Sequence, residues 1–238
     1  MPQKQNLVFI HGFYGDPSGL ADVIKHLDPM RYNCFSPAMP PNYGVYLSEY
    51  TAQSYSDYLL NYLQTNHIKN PVLIGHSMGS IIASAFAARY PEYSADKLIL
   101  LAPISHKLPL CFRLLQPLVF LFPKKLVTTI DNAFLITNRK SLKPILAKTI
   151  PYLKSYHRHL PILRSAIFSA HHAVSDFDFQ KTTLIIDGES EKIVSRQKTA
   201  HLAVARSARL ITLKNAGHLL NFEQPAAVAQ AIDEFLQN

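Results

Sequence analysis

Cysteine is nearly absent: Cys34 and Cys111 are the only two in 238 residues, far apart and in no metal-ligand spacing. Neither a disulfide framework nor a zinc site is suggested, and both thiols are expected to be free and buried. Long apolar runs are missing too. Leu114 to Phe122 is nearly all apolar, but Gln116 and Pro117 interrupt it, and extending it back to Leu108 brings in Arg113 and Pro109. A transmembrane helix is therefore not expected there. The first apolar run, Leu7-Val8-Phe9-Ile10, is too short for a signal-peptide core and lacks a small-residue cleavage site. A cytoplasmic location is the expectation, with a peripheral membrane contact as its variant. Internal repeats and low-complexity linkers are also missing, which favours one domain with an insertion over two domains joined by a tether.

Acidic residues are scarce in one place. Between Ile104 and Ser175 eleven Lys or Arg face a single acid, Asp131, whereas the rest of the chain carries 13 basic and 15 acidic side chains. The formal charge of +8 thus belongs to one segment. Nucleic-acid binding would need basic residues interleaved with aromatics in a recognisable module, and none is seen.

What is present is apolar: 48% of residues, enough for a sizeable core without staples. Short apolar runs alternate with longer helical patterns, which predicts an α/β fold with a mostly parallel sheet flanked by helices. The strands are read at Leu7 to Ile10, Tyr32 to Ser36, Pro71 to Ile74, Lys97 to Leu101, Thr183 to Ile186 and Arg209 to Leu213. The helices are read at Ser18 to Leu27, Ser48 to Asn66, Met78 to Tyr90, Arg196 to Arg206 and Pro225 to Leu236. The tyrosines at 50, 55, 58 and 62 share faces of the second helix and read as packing. The alternation stops after Pro103 and resumes at Thr182, leaving a Leu-, Pro-, Lys- and Arg-rich stretch with helical periodicity. Residues 1–103 and 182–238 are accordingly read as the core, and 104–181 as an inserted helical cap.

Gly75-His76-Ser77-Met78-Gly79 is a short motif, so its surroundings decide its meaning. It follows a strand and opens a helix with small residues at Ala83 and Ala87, the setting in which a serine is thrust out at the carboxyl edge of a sheet. A serine hydroxyl needs a base. Among eleven histidines His218 stands out, because it follows the last strand in Asn215-Ala216-Gly217-His218 and so reaches the same sheet edge. His157, His159, His171 and His172 fall in the insertion, His201 lies within a helix, and His76 cannot readily fold back onto its neighbour. A carboxylate should orient the imidazole, and two compete for that role, Asp187 at the strand end and Glu191 four residues on.

These residues, in the order serine, acid, histidine, resemble the α/β-hydrolase family over residues 7 to 103 and 182 to 238. The resemblance implies an α/β-hydrolase fold with a cap where the insertion lies. In the family this strand commonly continues Gly-x-x-Asp and then apolar residues, so Gly188-Glu189-Ser190-Glu191 favours Glu191, with Glu standing where Asp is usual. His11-Gly12-Phe13 is similar to the His-Gly-aromatic turn after the family's third strand; by carry-over, the backbone N–H groups of Phe13 and Met78 would form the oxyanion hole. His11, Gly12 and His76 are expected to border the substrate. The loop Ser36 to Gly44 departs from small-molecule esterases, lacking their Asp and glycine pair.

The activity this implies is hydrolysis of a carboxylic ester or thioester through an acyl-enzyme on Ser77, with no cofactor or metal. An apolar, basic and mobile cap fits an acyl chain on an anionic carrier, such as acyl carrier protein, coenzyme A or an anionic lipid surface; the charges otherwise serve only to solvate the cap. Other readings of the same scaffold are a lyase resembling the menaquinone-pathway synthase group, a membrane-associated lipase, and a non-catalytic binding protein.

Overall fold

The computed structural model describes residues 3–13, 15–41, 44–107 and 160–238. Among these, six strands form one parallel sheet: β1 (Gln5–Ile10), β2 (Tyr32–Phe35), β3 (Val72–His76), β4 (Lys97–Leu101), β5 (Thr182–Gly188) and β6 (Arg209–Leu213). Their order is β2-β1-β3-β4-β5-β6, so the chain runs outward from β1 to one edge, crosses back to β3, and then proceeds to the other edge. That reversal opens a crevice at the carboxyl ends of β1 and β3, the usual ligand position in open α/β sheets.

Side chains alternate through the sheet as period 2 demands. Val8, Ile10, Leu73, Leu98, Leu100 and Ile185 belong to the core on one face, together with helices α2 (Ala52–Thr65), α3 (Met78–Arg89) and α5 (Arg196–Ala205). Leu7, Phe9, Val72, Ile74, Ile99, Leu101, Leu184 and Ile186 point the other way, onto α1 (Ala21–Ile24), the turn α6 (Leu220–Glu223) and α7 (Pro225–Gln237). With both faces covered, the central strands read as continuous apolar runs.

All six expected strands form, β4 and β6 with the expected ends and the other four with ends shifted by one or two residues. β3 begins at Val72 because Pro71 has no N–H for the ladder, and it continues through Gly75 and His76, which pair with Leu100 and Leu101. The expected helix Ser18 to Leu27 is instead a 3-10 turn, Pro17–Leu20, capped by the Asp16 carboxylate at 2.6 Å from Ser18 N, followed by the single turn of α1. Thr51 caps α2 through Ser54 N, so that helix starts at Ala52 and not at Ser48.

Of the inserted segment, 108–159 lies outside the described residues, and with it the apolar stretch at 114–122 and Cys111. The described part contains the helix α4 (Leu160–His171). The two ends of the insertion meet, with Val174 N–H donating to Ile104 O at 2.9 Å, so it leaves and returns between neighbouring strands. Among the described residues no helix is long and apolar enough to cross a membrane. Cys34 is a free, half-buried thiol whose burial pushes it up to about 11.

Candidate active site

The strand β3 passes into α3 through one residue in an unusual conformation. Ser77 has φ 53° and ψ −119°, a left-handed placement that costs a non-glycine residue energy and persists only where its surroundings enforce it. The enforcement is visible. Ser77 N–H donates to Leu101 O at 3.0 Å, and Ser77 O accepts from Ser80 N and Ser80 Oγ at 2.9 and 2.5 Å. The turn also requires the two glycines. A Cβ on Gly75 would lie 2.3 Å from Gly79 O, and one on Gly79 would lie 2.1 Å from Ile10 O. Ser77 is thereby lifted from a buried strand to partial exposure.

His218 arrives on the loop after β6. Its Nε2 lies 2.8 Å from Ser77 Oγ, and its Nδ1 lies 2.7 Å from Glu191 Oε2. A carboxylate only accepts, so Nδ1 carries the proton and Nε2 is left to accept from the serine hydroxyl. The other Glu191 oxygen accepts from the N–H groups of Ile193 and Val194 at 2.7 and 3.3 Å. His218 and Glu191 side chains are only 5% and 2% exposed. Burial pushes the Glu191 carboxyl upward, but the His218 charge, its hydrogen bond and the two N–H groups outweigh it and hold the group below its ordinary value. The site thus favours the ionised form of Glu191.

The two loops are stitched together: Glu189 N–H donates to Leu213 O and Ser190 N–H to Ala216 O, both at 2.9 Å. Glu223 accepts from Gly217 N–H at 2.6 Å.

Asp187, the competing carboxylate, is not bonded to His218. It is buried at the end of β5 with Oδ1 unpartnered and Oδ2 3.9 Å from Arg196 Nε. Burial raises it; the Thr212 hydrogen bond and Arg196 pull downward, and Glu191 adds to the rise. A carboxyl whose folded value exceeds its unfolded one contributes its full stability below the unfolded value, near 3.8, and loses it as pH rises through the folded value. Asp187→Asn, permanently neutral, should therefore melt above wild type at pH 7, with the gap closing toward pH 4. A calorimetric series showing the reverse trend would refute this assignment.

The turn after β1 lies against Ser77. A Cβ on Gly12 would stand 3.0 Å from Ser77 Cβ and 3.3 Å from His76 Nδ1, so glycine there lets the turn that leads into Phe13 close against Ser77. Met78 is the first residue of α3, and its N–H is among those a helix leaves without an internal acceptor. His11 had been expected to border the substrate, but both ring nitrogens face backbone: Nε2 accepts from Met39 N–H and Nδ1 donates to Gly12 O, each at 2.9 Å. Burial pushes its pKa down. It pins the loop after β2 to the turn. His76 is likewise buried and committed, its Nε2–H donating to His218 O at 2.9 Å.

Tyrosines of α2 hold that same loop. Tyr58 and Tyr55 hydroxyls donate to Ala38 O and Pro40 O at 2.9 and 3.1 Å. Tyr55 also meets Ser165 Oγ of α4 at 2.8 Å, and Ser165 Oγ lies 3.6 Å from Met78 Sδ. Helix α4 is therefore fastened directly to Met78, the residue after Ser77. The signal for this was the loop's three prolines, whose neighbouring carbonyls have few local donors. Among the described residues no cluster of His, Cys, Asp or Glu could hold a metal ion.

Similarity to known proteins follows the same outline. A profile of the alpha/beta hydrolase family matches residues 7–231. The hydrolase YugF of Bacillus subtilis, itself uncharacterised, is 27% identical across 99% of this chain and 91% of that protein. A Mycoplasma pneumoniae protein provisionally designated esterase/lipase 3 is 33% identical over 107 residues, 44% of this chain and 39% of that protein. In fold, the chain superposes with a TM-score of 0.83 on a thermophilic esterase from Thermogutta terrifontis, at 20% identity and covering 99% of this chain and 90% of that one.

Proposed function

The chain belongs to the alpha/beta hydrolase family, and from that premise we propose that it is a serine esterase that cleaves a carboxylic ester or thioester through an acyl-enzyme on Ser77. The observation that carries the reading is the continuous path from Ser77 Oγ through the His218 ring to Glu191, with steps of 2.8 and 2.7 Å. His218 Nε2 takes the serine proton as Oγ attacks the acyl carbon, and Glu191 stabilises the imidazolium that forms. The N–H groups of Phe13 and Met78 receive the oxyanion. Collapse of the tetrahedral intermediate expels the alcohol or thiol, which takes its proton from His218. Water, deprotonated by the same imidazole, then releases the acid and restores Ser77.

The basic segment gives this reading a direction. Eleven cations against one acid between 104 and 175 favour an acyl group carried on an anion, since such charge speeds encounter with an oppositely charged partner and is weakened by salt. The test is a panel of p-nitrophenyl esters of increasing chain length beside acyl-coenzyme A and acyl carrier protein thioesters, with Ser77→Ala as control. Turnover is expected for at least one acyl series and for none in Ser77→Ala. Substrate cleavage that survives Ser77→Ala would contradict the proposal, and a silent panel would favour a lyase or a binding protein.

A further inference from the structure

His76 sits between the two halves of the site and the mechanism above assigns it no step. Its ring is 6% exposed. One edge faces the turn after β1, close enough that a Cβ on Gly12 would come within 3.3 Å of Nδ1. The other edge donates from Nε2 to the backbone carbonyl of His218, 2.9 Å away, and the two rings stand 5.5 Å apart.

We propose that His76 is a positioning residue for catalysis: through its Nε2–H it fixes the main chain of His218, and so sets where the catalytic imidazole stands relative to Ser77. This inference rests on the proposed hydrolase reading for its kinetic consequence. His218 lies on a loop, and a loop residue holds a catalytic distance only if its backbone is tied down. On one side Glu223 grips Gly217 N–H. On the other, the His76 ring grips the carbonyl of His218 itself, from a residue whose neighbour in sequence is the nucleophile. Base and nucleophile therefore share one rigid support, the end of β3.

The support must also be electrically quiet. An imidazolium forms on His218 when Ser77 is attacked, and a second positive charge beside it would oppose that step. Burial, first, and the neighbouring His218 charge push His76 down to about 4, with the His218 carbonyl bond and Glu191 pulling the other way and His11 adding to the fall. His76 is thus neutral at working pH. Because it accepts fewer protons folded than unfolded, it adds stability above its ordinary 6.5 that drains away as pH falls toward about 4.

The experiment compares His76→Gln, His76→Asn and His76→Ala. A glutamine amide nitrogen can occupy the place of Nε2, whereas an asparagine amide reaches only as far as Nδ1. Displacing a reacting group by about 1 Å can cost on the order of 100-fold. In Ala and Asn, kcat is therefore expected to fall roughly 10- to 100-fold with KM little changed, and Gln should recover most of that loss. The second readout needs no substrate: the downfield proton resonance of His218 Nδ1–H, bonded to Glu191, should persist in wild type and Gln but exchange at least about tenfold faster in Ala and Asn. Matching losses in Gln and Asn, or an unchanged resonance and rate in Ala, would overturn the proposal. Loss of the resonance in Ala alongside a wild type silent on every ester would count against the hydrolase reading and leave the positioning role supported.

Discussion

Replacing Glu191 with Gln should lower kcat for ester hydrolysis by roughly 10³- to 10⁴-fold, with KM moved less than about threefold. Glu191 does not need to touch substrate to matter. Its Oε2 dictates that the His218 proton sits on Nδ1, and a glutamine presenting its amide N–H would reverse the tautomer and turn Nε2 from acceptor to donor. The imidazolium would also lose the charge that stabilises it. Asp187→Asn is the matched control, since Asp187 is equally buried and four residues away but not bonded to His218; steady-state kinetics should show it within a few-fold of wild type. A larger kinetic loss in Asp187→Asn than in Glu191→Gln would exchange the two assignments.

Gly79→Ala carries the largest expected effect on stability. The added methyl would lie 2.1 Å from Ile10 O and 2.8 Å from His11 O, and both atoms are main chain. No rotamer change relieves such a clash, so α3 must move away from β1 at the point where the turn after β1 meets Ser77. Overpacking typically costs 1 to 3 kcal/mol, and a rigid backbone obstacle places this case at about 3 or beyond. For a chain of this size that lowers the melting temperature by roughly 6 to 12 °C, and activity at permissive temperature should fall as well. Gly19→Ala, whose added Cβ meets only Phe222 at an ordinary 3.6 Å, should melt within about 2 °C of wild type. Thermal denaturation followed by circular dichroism separates the two.

Much of the site could be read from residues alone because the chemistry constrains them tightly. Ser77 between Gly75 and Gly79 is legible since only that pattern fits a turn this sharp, and His218 since a base must reach the same sheet edge from the next available loop. Choosing Glu191 over Asp187 was not a matter of spacing. Asp187 is still paired within β5, whereas the chain bends after Gly188 and returns Glu191 toward His218, a turn closed by Glu191 N–H on Gly188 O. The committed states of His11 and His76 were hidden for a related reason: a histidine beside a site looks available until its backbone partners are seen. Helix starts such as Ala52 slipped by a few residues because the cap, Thr51, and not the first polar residue, fixes the boundary.

The central claim is a covalent bond to Ser77, and the most direct measurement looks for it. Wild-type protein mixed with a p-nitrophenyl ester, quenched in acid within milliseconds and digested, should yield the Ser77 peptide heavier by one acyl group. The adduct should be absent in Ser77→Ala. It should form far more slowly in His218→Ala. An acyl group found on another residue, or nitrophenol released at the wild-type rate by Ser77→Ala, would contradict the account.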